Sequence, residues 1–297
     1  MLDSLHLGRG TTRGALTVFP IWGEGHRRSR YATMSPSVQV SELPDGPQVG
    51  TLVVTNPHHE PLLLTAGELL EGGHQHRMVA DSVLLPPRSE QSIAVVCVEH
   101  GRWSGGRDHR SAGRRASARV RSGLRAGVAG GTAQAAGRDR QGEVWSRIAG
   151  LEGRFGSSDT SSYLDYADGA EPDVARMAAG LRPFPGQVGV MVGIAGQPVF
   201  AEVFDRPEAL EQQFDSIVQA AAFDAIGHPP VPTPSRRGRR LLARAAAVSR
   251  RPAAPAGLAR RLSGGDQKVE VESLDWMDHQ IHALLTNPRH TLHQPIG

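Results

Sequence analysis

Two short stretches carry most of the residues whose types and spacing could do chemistry. The first, "GELLEGGHQHR" (67–77), holds Glu68, Glu71, His74, Gln75, His76 and Arg77; the second, "CVEHGRW" (97–103), holds Cys97, Glu99, His100, Arg102 and Trp103. Glu68 and Glu99 are the candidate catalytic residues, because a positioned carboxylate can take and return a proton or bind a cation. Arg77 and Arg102 can each grip a phosphate or carboxylate through two parallel N–H bonds. Trp103 offers a face to a base or ribose, or a side chain to the core. Gly72 and Gly73 would let backbone approach a ligand closely, and equally form a plain turn. The rival reading is that Glu68, Arg77, Glu99 and Arg102 make an internal salt-bridge network that fixes the strands. Residue types alone leave both open.

Other chemistries are weaker. If "HQH" (74–76) were strand, His74 and His76 would share a face, and with Glu68, Glu71, His58 or His59 they would supply donors for a divalent ion. The carboxylate that usually follows such a pair in cupin barrels is missing, so no metal is expected and His74 with His76 stays a minor alternative. Cys97 alternates with Val95 in an apolar run and reads as a buried structural thiol. No cofactor is implied.

These residues need strands to position them. The first hundred residues read as short Val/Ile/Leu-rich runs separated by Gly, Pro, Asn, Asp or Ser: 15–22, 38–43, 48–56, 61–70, 76–87 and 91–99. No crossover helix intervenes, so antiparallel pairing in a sandwich or barrel-like sheet is expected. Helical patterns follow at 117–127, 141–156 and 173–181. Residues 186–204 read as a hairpin, 207–226 as a long helix with Pro207 near its start, and 238–248 as a short helix. A final strand pair is expected at 266–276 and 279–287. The class is α+β, with an antiparallel β-rich part at 15–103 and an α+β part at 117–290, as one domain over 15–290. Residues 104–116 and 228–265 read as flexible Arg-rich connections.

The charge pattern narrows the partners. The 297 residues carry a net charge of only +3, and Lys268 is the one lysine among 33 basic residues. Residues 102–140 nevertheless hold ten arginines against Asp108 and Asp139, and 236–261 hold nine with no acid. Such runs attract phosphates or an acidic protein partner, or are simply solvated. Apart from Trp103 at the start of the first run they contain no interleaved aromatics, so nucleic acid is not the expected partner. One cysteine excludes a disulfide scaffold. No apolar run is long enough for a membrane span, and the first residues lack a signal-peptide pattern, so a cytoplasmic location is expected.

At "AGELLEGGHQHR" and "CVEHGRW" the sequence resembles the ARPP-1 family, the ARG-and-rhodanese-phosphatase-superfamily-associated protein domain. The matching positions are Gly67, Glu68, Gly72, Gln75, Arg77, Cys97, Val98, Glu99, Gly101, Arg102 and Trp103. Gln141, Val144 and Trp145 match further on, as do Val188, Gly189, Phe204 and Glu208, so the likeness spans roughly 15–227. His74 stands where the family has Lys, His76 where it has Asn or Asp, and His100 where it has Gln. A histidine replaces a lysine at an anion only when protonated. Gly67, Gln75, Arg77, Arg102 and Trp103 are thereby the ligand-binding candidates. The resemblance implies a binding or regulatory protein for a phosphate-bearing nucleotide such as ADP-ribose. Two other readings stay open: an enzyme of ADP-ribose or NAD metabolism using Glu68 or Glu99, and a partner-docking protein using its Arg-rich surfaces.

Overall fold

The computed structural model describes residues 2–23, 29–125 and 133–294. The protein is α+β, strand-rich in its N-terminal region and mixed in its C-terminal region. The chain divides into two compact units: residues up to Arg30 together with Asp173–Gln294, and Tyr31–Pro172.

The Tyr31–Pro172 unit is built on a closed barrel of six strands. Going round it, the order is Ser89–Cys97, Thr51–Asn56, Gln39–Ser41, Asp108–Arg115, Glu68–Gly72 and Arg77–Val79, which pairs back with Ser89–Cys97. Val40, Val54, Leu70, Val79, Ile93 and Val95 fill it, one inward residue every second position. A small second sheet of Val83–Leu85, Leu62–Leu64 and Ala32–Thr33 adds Leu62, Leu64 and Leu85 to the same core. The expected run 61–70 is therefore two strands, split where Thr65 and Gly67 turn the chain. The antiparallel expectation holds for the barrel and fails for Ala32–Thr33, which pairs parallel with Leu62–Leu64. Two barrel strands lie between them in sequence, long enough to make the crossover that parallel pairing needs.

The helix Ala133–Ala149 packs on the barrel through Gln141, whose side-chain oxygen accepts the Cys97 N–H at 2.8 Å and whose NH2 donates to the Cys97 carbonyl at 2.9 Å. The amide thus stands in for a neighbouring strand at the end of Ser89–Cys97. Residues 117–125 form a helical turn capped by Ser117 that continues as a 3-10 turn; the stop expected at Gly127 lies outside the described residues.

The other unit is a nine-stranded sheet running Leu5–Leu7, Leu16–Gly23, Gly189–Ile194, Gln197–Phe204, His279–Thr286, Glu270–Trp276, Ala259–Gly265 and Arg251–Ala256, with Thr11–Arg13 also paired to Leu16–Gly23. The hairpin at 186–204, the helix Pro207–Ala225 and the late strand pair fall where expected. On one face Phe19, Ile21, Met191, Ala201, Val203 and Leu285 pack against Leu241, Leu242 and Ala245 of the helix Ser235–Ala247. Gly238 lets that helix sit close: a Cβ there would meet Leu7 at 2.6 Å and Met191 sulfur at 2.8 Å. The helix Pro207–Ala225 buries Leu210, Phe214, Ile217 and Val218, none of them in that cluster, and so covers the alternate face of the same strands.

The Arg-rich stretches 104–116 and 228–265 contain regular elements. Asp108–Arg115 is a barrel strand, and 228–265 contains the helix Ser235–Ala247 and the strands Arg251–Ala256 and Ala259–Gly265. Arg, Gly and Pro hide the strand pattern, and backbone pairing with Glu68–Gly72 and with Glu270–Trp276 supplies it instead. Among the described residues no helix is long and apolar enough to cross a membrane.

Candidate functional site

The two motif stretches meet at one end of the barrel. Glu99 follows the strand Ser89–Cys97, and its carboxylate is gripped side-on by Arg102: Nε to Oε1 at 2.9 Å and Nη2 to Oε2 at 2.8 Å. The His76 N–H donates to Oε2 at 3.0 Å. Arg102 Nη1 donates to the carbonyls of Gly73 and Ser104, at 2.9 and 2.7 Å. It therefore ties the 72–76 turn to the loop after Glu99. Gly72 and Gly73 both have positive φ, and a Cβ on Gly72 would meet the Asp108 carbonyl at 2.7 Å, so this turn is built for close strand packing.

Gln75 and Arg77 extend the network inward. The Gln75 NH2 donates to the Glu99 carbonyl at 2.9 Å, and its oxygen accepts from Arg77 Nη1 at 3.0 Å. Arg77 is fully buried with Nη2 3.9 Å from Glu42 Oε1, and that same oxygen lies 3.1 Å from His109 Nε2. Glu42 and His109 are members of this network that the motifs do not contain. Burial outweighs the pull of Glu42 and holds His109 below its ordinary pKa.

Glu68 belongs to a separate set. Its Oε1 accepts both the Thr65 hydroxyl at 2.7 Å and the Thr65 N–H at 3.2 Å, and the hydroxyl accepts from Arg115 Nη2 at 2.7 Å. Gly67, at φ +98°, has the Arg121 side chain lying across it, where a Cβ would meet Arg121 Cδ at 2.1 Å. So Gln75, Arg77, Glu99 and Arg102 are brought together, whereas Glu68 and Gly67 face Thr65, Arg115 and Arg121.

Trp103 points outward, 59% exposed, and so does not fill the core. His74 and His76 lie in the bend between strands, which removes the shared strand face on which a metal pair was considered. His76 instead accepts the Gly72 N–H at Nδ1, 3.0 Å. Among the described residues no group of three or more His, Cys, Asp or Glu could hold a metal ion. Cys97 is buried, its thiol donating to the Glu99 carbonyl at 2.8 Å, and burial raises its pKa.

Chemically, this end of the barrel holds its charges against one another. Burial pushes the Glu99 carboxyl up, but the Arg102 bond and the His76 N–H outweigh it, leaving its pKa below the ordinary value. A carboxylate in that state with both oxygens occupied is a poor general acid at neutral pH.

A different arrangement lies in the nine-stranded unit. A groove of about 450 Å³ is lined by Arg237, Arg240 and Arg244 of the helix Ser235–Ala247, by Lys268 and Arg289, and by Gln197, Pro198, Leu241, Asn287 and His290. The helix buries Gly238, Leu241, Leu242 and Ala245 against the sheet, which leaves the neighbouring positions 237, 240 and 244 along one lip. Arg237 is anchored on the Gly196 carbonyl, and Arg289 on Gln267, through the carbonyl at 3.0 Å and the side-chain oxygen at 3.3 Å. Asn287 pins the wall by donating to the Pro198 carbonyl at 2.8 Å. Among the described residues no carboxylate lines the groove. The nearby Asp266 accepts the Lys268 and Val269 N–H groups at 2.7 and 2.9 Å, and these bonds, with Arg244 and Lys268 adding smaller effects, hold its pKa below the ordinary value. The run 236–261 signalled these arginines in sequence; Lys268 and Arg289 reach the groove only through strand pairing.

No curated protein and no solved structure matches the chain. The model of the ARG and Rhodanese-Phosphatase-superfamily-associated Protein domain matches residues 4–286, a span that takes in both units, and the chain belongs to the ARPP-1 family.

Proposed function

We propose that this ARPP-1 protein binds a phosphate-bearing small molecule, with a nucleotide metabolite such as ADP-ribose as the leading ligand. The observation that carries the reading is the groove of the nine-stranded unit: five cationic side chains and, among the described residues, no carboxylate in its lining. Arginine forks and an ammonium around a shallow cleft suit phosphate oxygens, and an acid-free lining adds no repulsion. The barrel-end residues Gln75, Arg77, Glu99 and Arg102 then serve to hold the Tyr31–Pro172 unit together, and a binding role is favoured over acid–base catalysis by Glu68 or Glu99, both engaged by neighbours. A cytoplasmic setting fits a chain whose single cysteine is a buried free thiol.

The test is a thermal-shift and calorimetric screen of the purified protein against ADP-ribose, NAD, ADP and divalent metals. Stabilisation by the phosphate-bearing compounds that disappears in Arg240→Gln/Arg244→Gln supports the reading. A flat response to every compound overturns it and favours docking of an acidic protein on the arginine surfaces.

A further inference from the structure

The groove has a shape as well as a charge. Arg237, Arg240 and Arg244 sit at i, i+3 and i+7 of one helix, so at 1.5 Å per residue their Cα atoms are strung along about 10 Å of axis. A single phosphate meets one or two such positions; a chain of phosphates meets all three. Lys268 and Arg289 are further cations in the same lining. Two members are held in place: Arg237 by the Gly196 carbonyl and Arg289 by Gln267. Arg240, Arg244 and Lys268 have no side-chain ion pair or hydrogen bond among the described residues, so their donors are available to a ligand.

What the lining lacks is equally informative. Among the described residues it contains no Trp, Tyr or Phe on which a base could stack, and no carboxylate to accept ribose hydroxyls. Its one ring, His290, is buried, with Nε2 3.3 Å from the Ile194 carbonyl and Nδ1 accepting the Leu292 N–H at 3.2 Å. Asn287 is consumed too, its Oδ1 accepting the Arg289 N–H and its NH2 donating to Pro198. Gln197 is the other neutral polar side chain, beside the apolar Pro198 and Leu241.

We infer that the groove recognises a chain of two or more linked phosphates and nothing of the base or sugar attached to it. Its ligand class is diphosphates and oligophosphates, with a nucleotide held through its phosphates while the nucleoside stays in solvent. The inference rests on the phosphate reading above and narrows it.

The experiment is calorimetric titration of the full chain with inorganic phosphate, pyrophosphate, tripolyphosphate, ADP-ribose and adenosine, with competition between tripolyphosphate and ADP-ribose. Tripolyphosphate is expected to bind and to displace ADP-ribose, inorganic phosphate to bind at least about tenfold more weakly, and adenosine not to bind. Arg240→Gln/Arg244→Gln and, separately, Lys268→Gln should each weaken tripolyphosphate by about tenfold or more with unchanged melting temperature in the absence of ligand. Lys268→Gln lies outside the helix and serves if the double variant folds poorly. Binding of ADP-ribose that tripolyphosphate does not displace, or equal affinity for phosphate and tripolyphosphate, overturns the inference and leaves the phosphate reading standing. No binding of any anion, or tripolyphosphate binding untouched by all three substitutions, overturns both.

Discussion

At the end of the barrel, Arg77 and Arg102 face Glu42 and Glu99, while along the helix Ser235–Ala247 three arginines line a groove with no carboxylate in its wall among the described residues. The difference follows from where each guanidinium sits. Arg77 is enclosed by barrel strands, where an unmatched charge costs several kcal/mol, and its partners are Gln75 from the adjoining bend and Glu42 from just beyond the strand Gln39–Ser41. Arg240 is exposed on a helix, where water solvates it and no partner is needed. Charges already matched within the protein have little left to offer a ligand. Exposed charges without partners do, and that contrast is the ground on which the proposed binding surface is the arginine run and not the family motifs.

The sharpest way to break the comparison is Arg77→Met. It leaves Glu42 buried without its cation and should destabilise the protein by about 3–5 kcal/mol in urea unfolding, while tripolyphosphate binding by the folded fraction is unchanged. A loss below about 1 kcal/mol would mean that the barrel network is not what holds this end of the unit. Glu99→Gln comes next, at about 1–3 kcal/mol, because Arg102 loses a charged acceptor for two donors but keeps the Gly73 and Ser104 carbonyls.

That variant also carries a pH signature. The folded pKa of Glu99 lies below the ordinary value of 4.5, so its contribution to stability is present above 4.5 and is lost as pH falls through the folded value. Glu99→Gln should therefore flatten the acid limb of a stability-against-pH curve, and an unchanged limb would remove Glu99 from that role. His76 gives a smaller effect. Burial lowers its pKa from 6.5, with Arg102 acting the same way and Glu99 and other carboxylates opposing. The unfolded chain then binds more protons just below pH 6.5, and stability drops there as pH falls. His76→Gln should lessen that drop.

The smallest effect on stability belongs to the groove. Arg240→Gln/Arg244→Gln should move the unfolding free energy by no more than about 0.5 kcal/mol, since neither side chain is paired, while costing the anion affinity. A large destabilisation would erase the contrast between the two regions.

Much of the scaffold could be read before any coordinates. The hairpin at Gly189–Phe204, the helix from Pro207 and the final strand pair carry strong apolar periodicity and clear turn chemistry, and they stand where that pattern puts them. Asp108–Arg115 and Arg251–Ala256 were not legible, because arginine, glycine and proline carry no strand period and only pairing with a neighbour makes them strands. The candidate site was legible as a list of residues. Gln75, Arg77, Glu99 and Arg102 do converge, but Glu68 turns to Thr65 and Arg115, and the partners Glu42 and His109 carry no local signal.

By itself, the sequence determined the α+β class, the family and the unequal placement of arginine, because these depend on local periodicity and composition. Which arginines are matched and which remain available was decided only by the tertiary structure. Both outcomes depend on residues far apart in the chain: Glu42 lies against Arg77 and His109, whereas Arg240 shares a groove with the cations Lys268 and Arg289. Strand register and barrel closure set those distances, and one sequence window cannot express them.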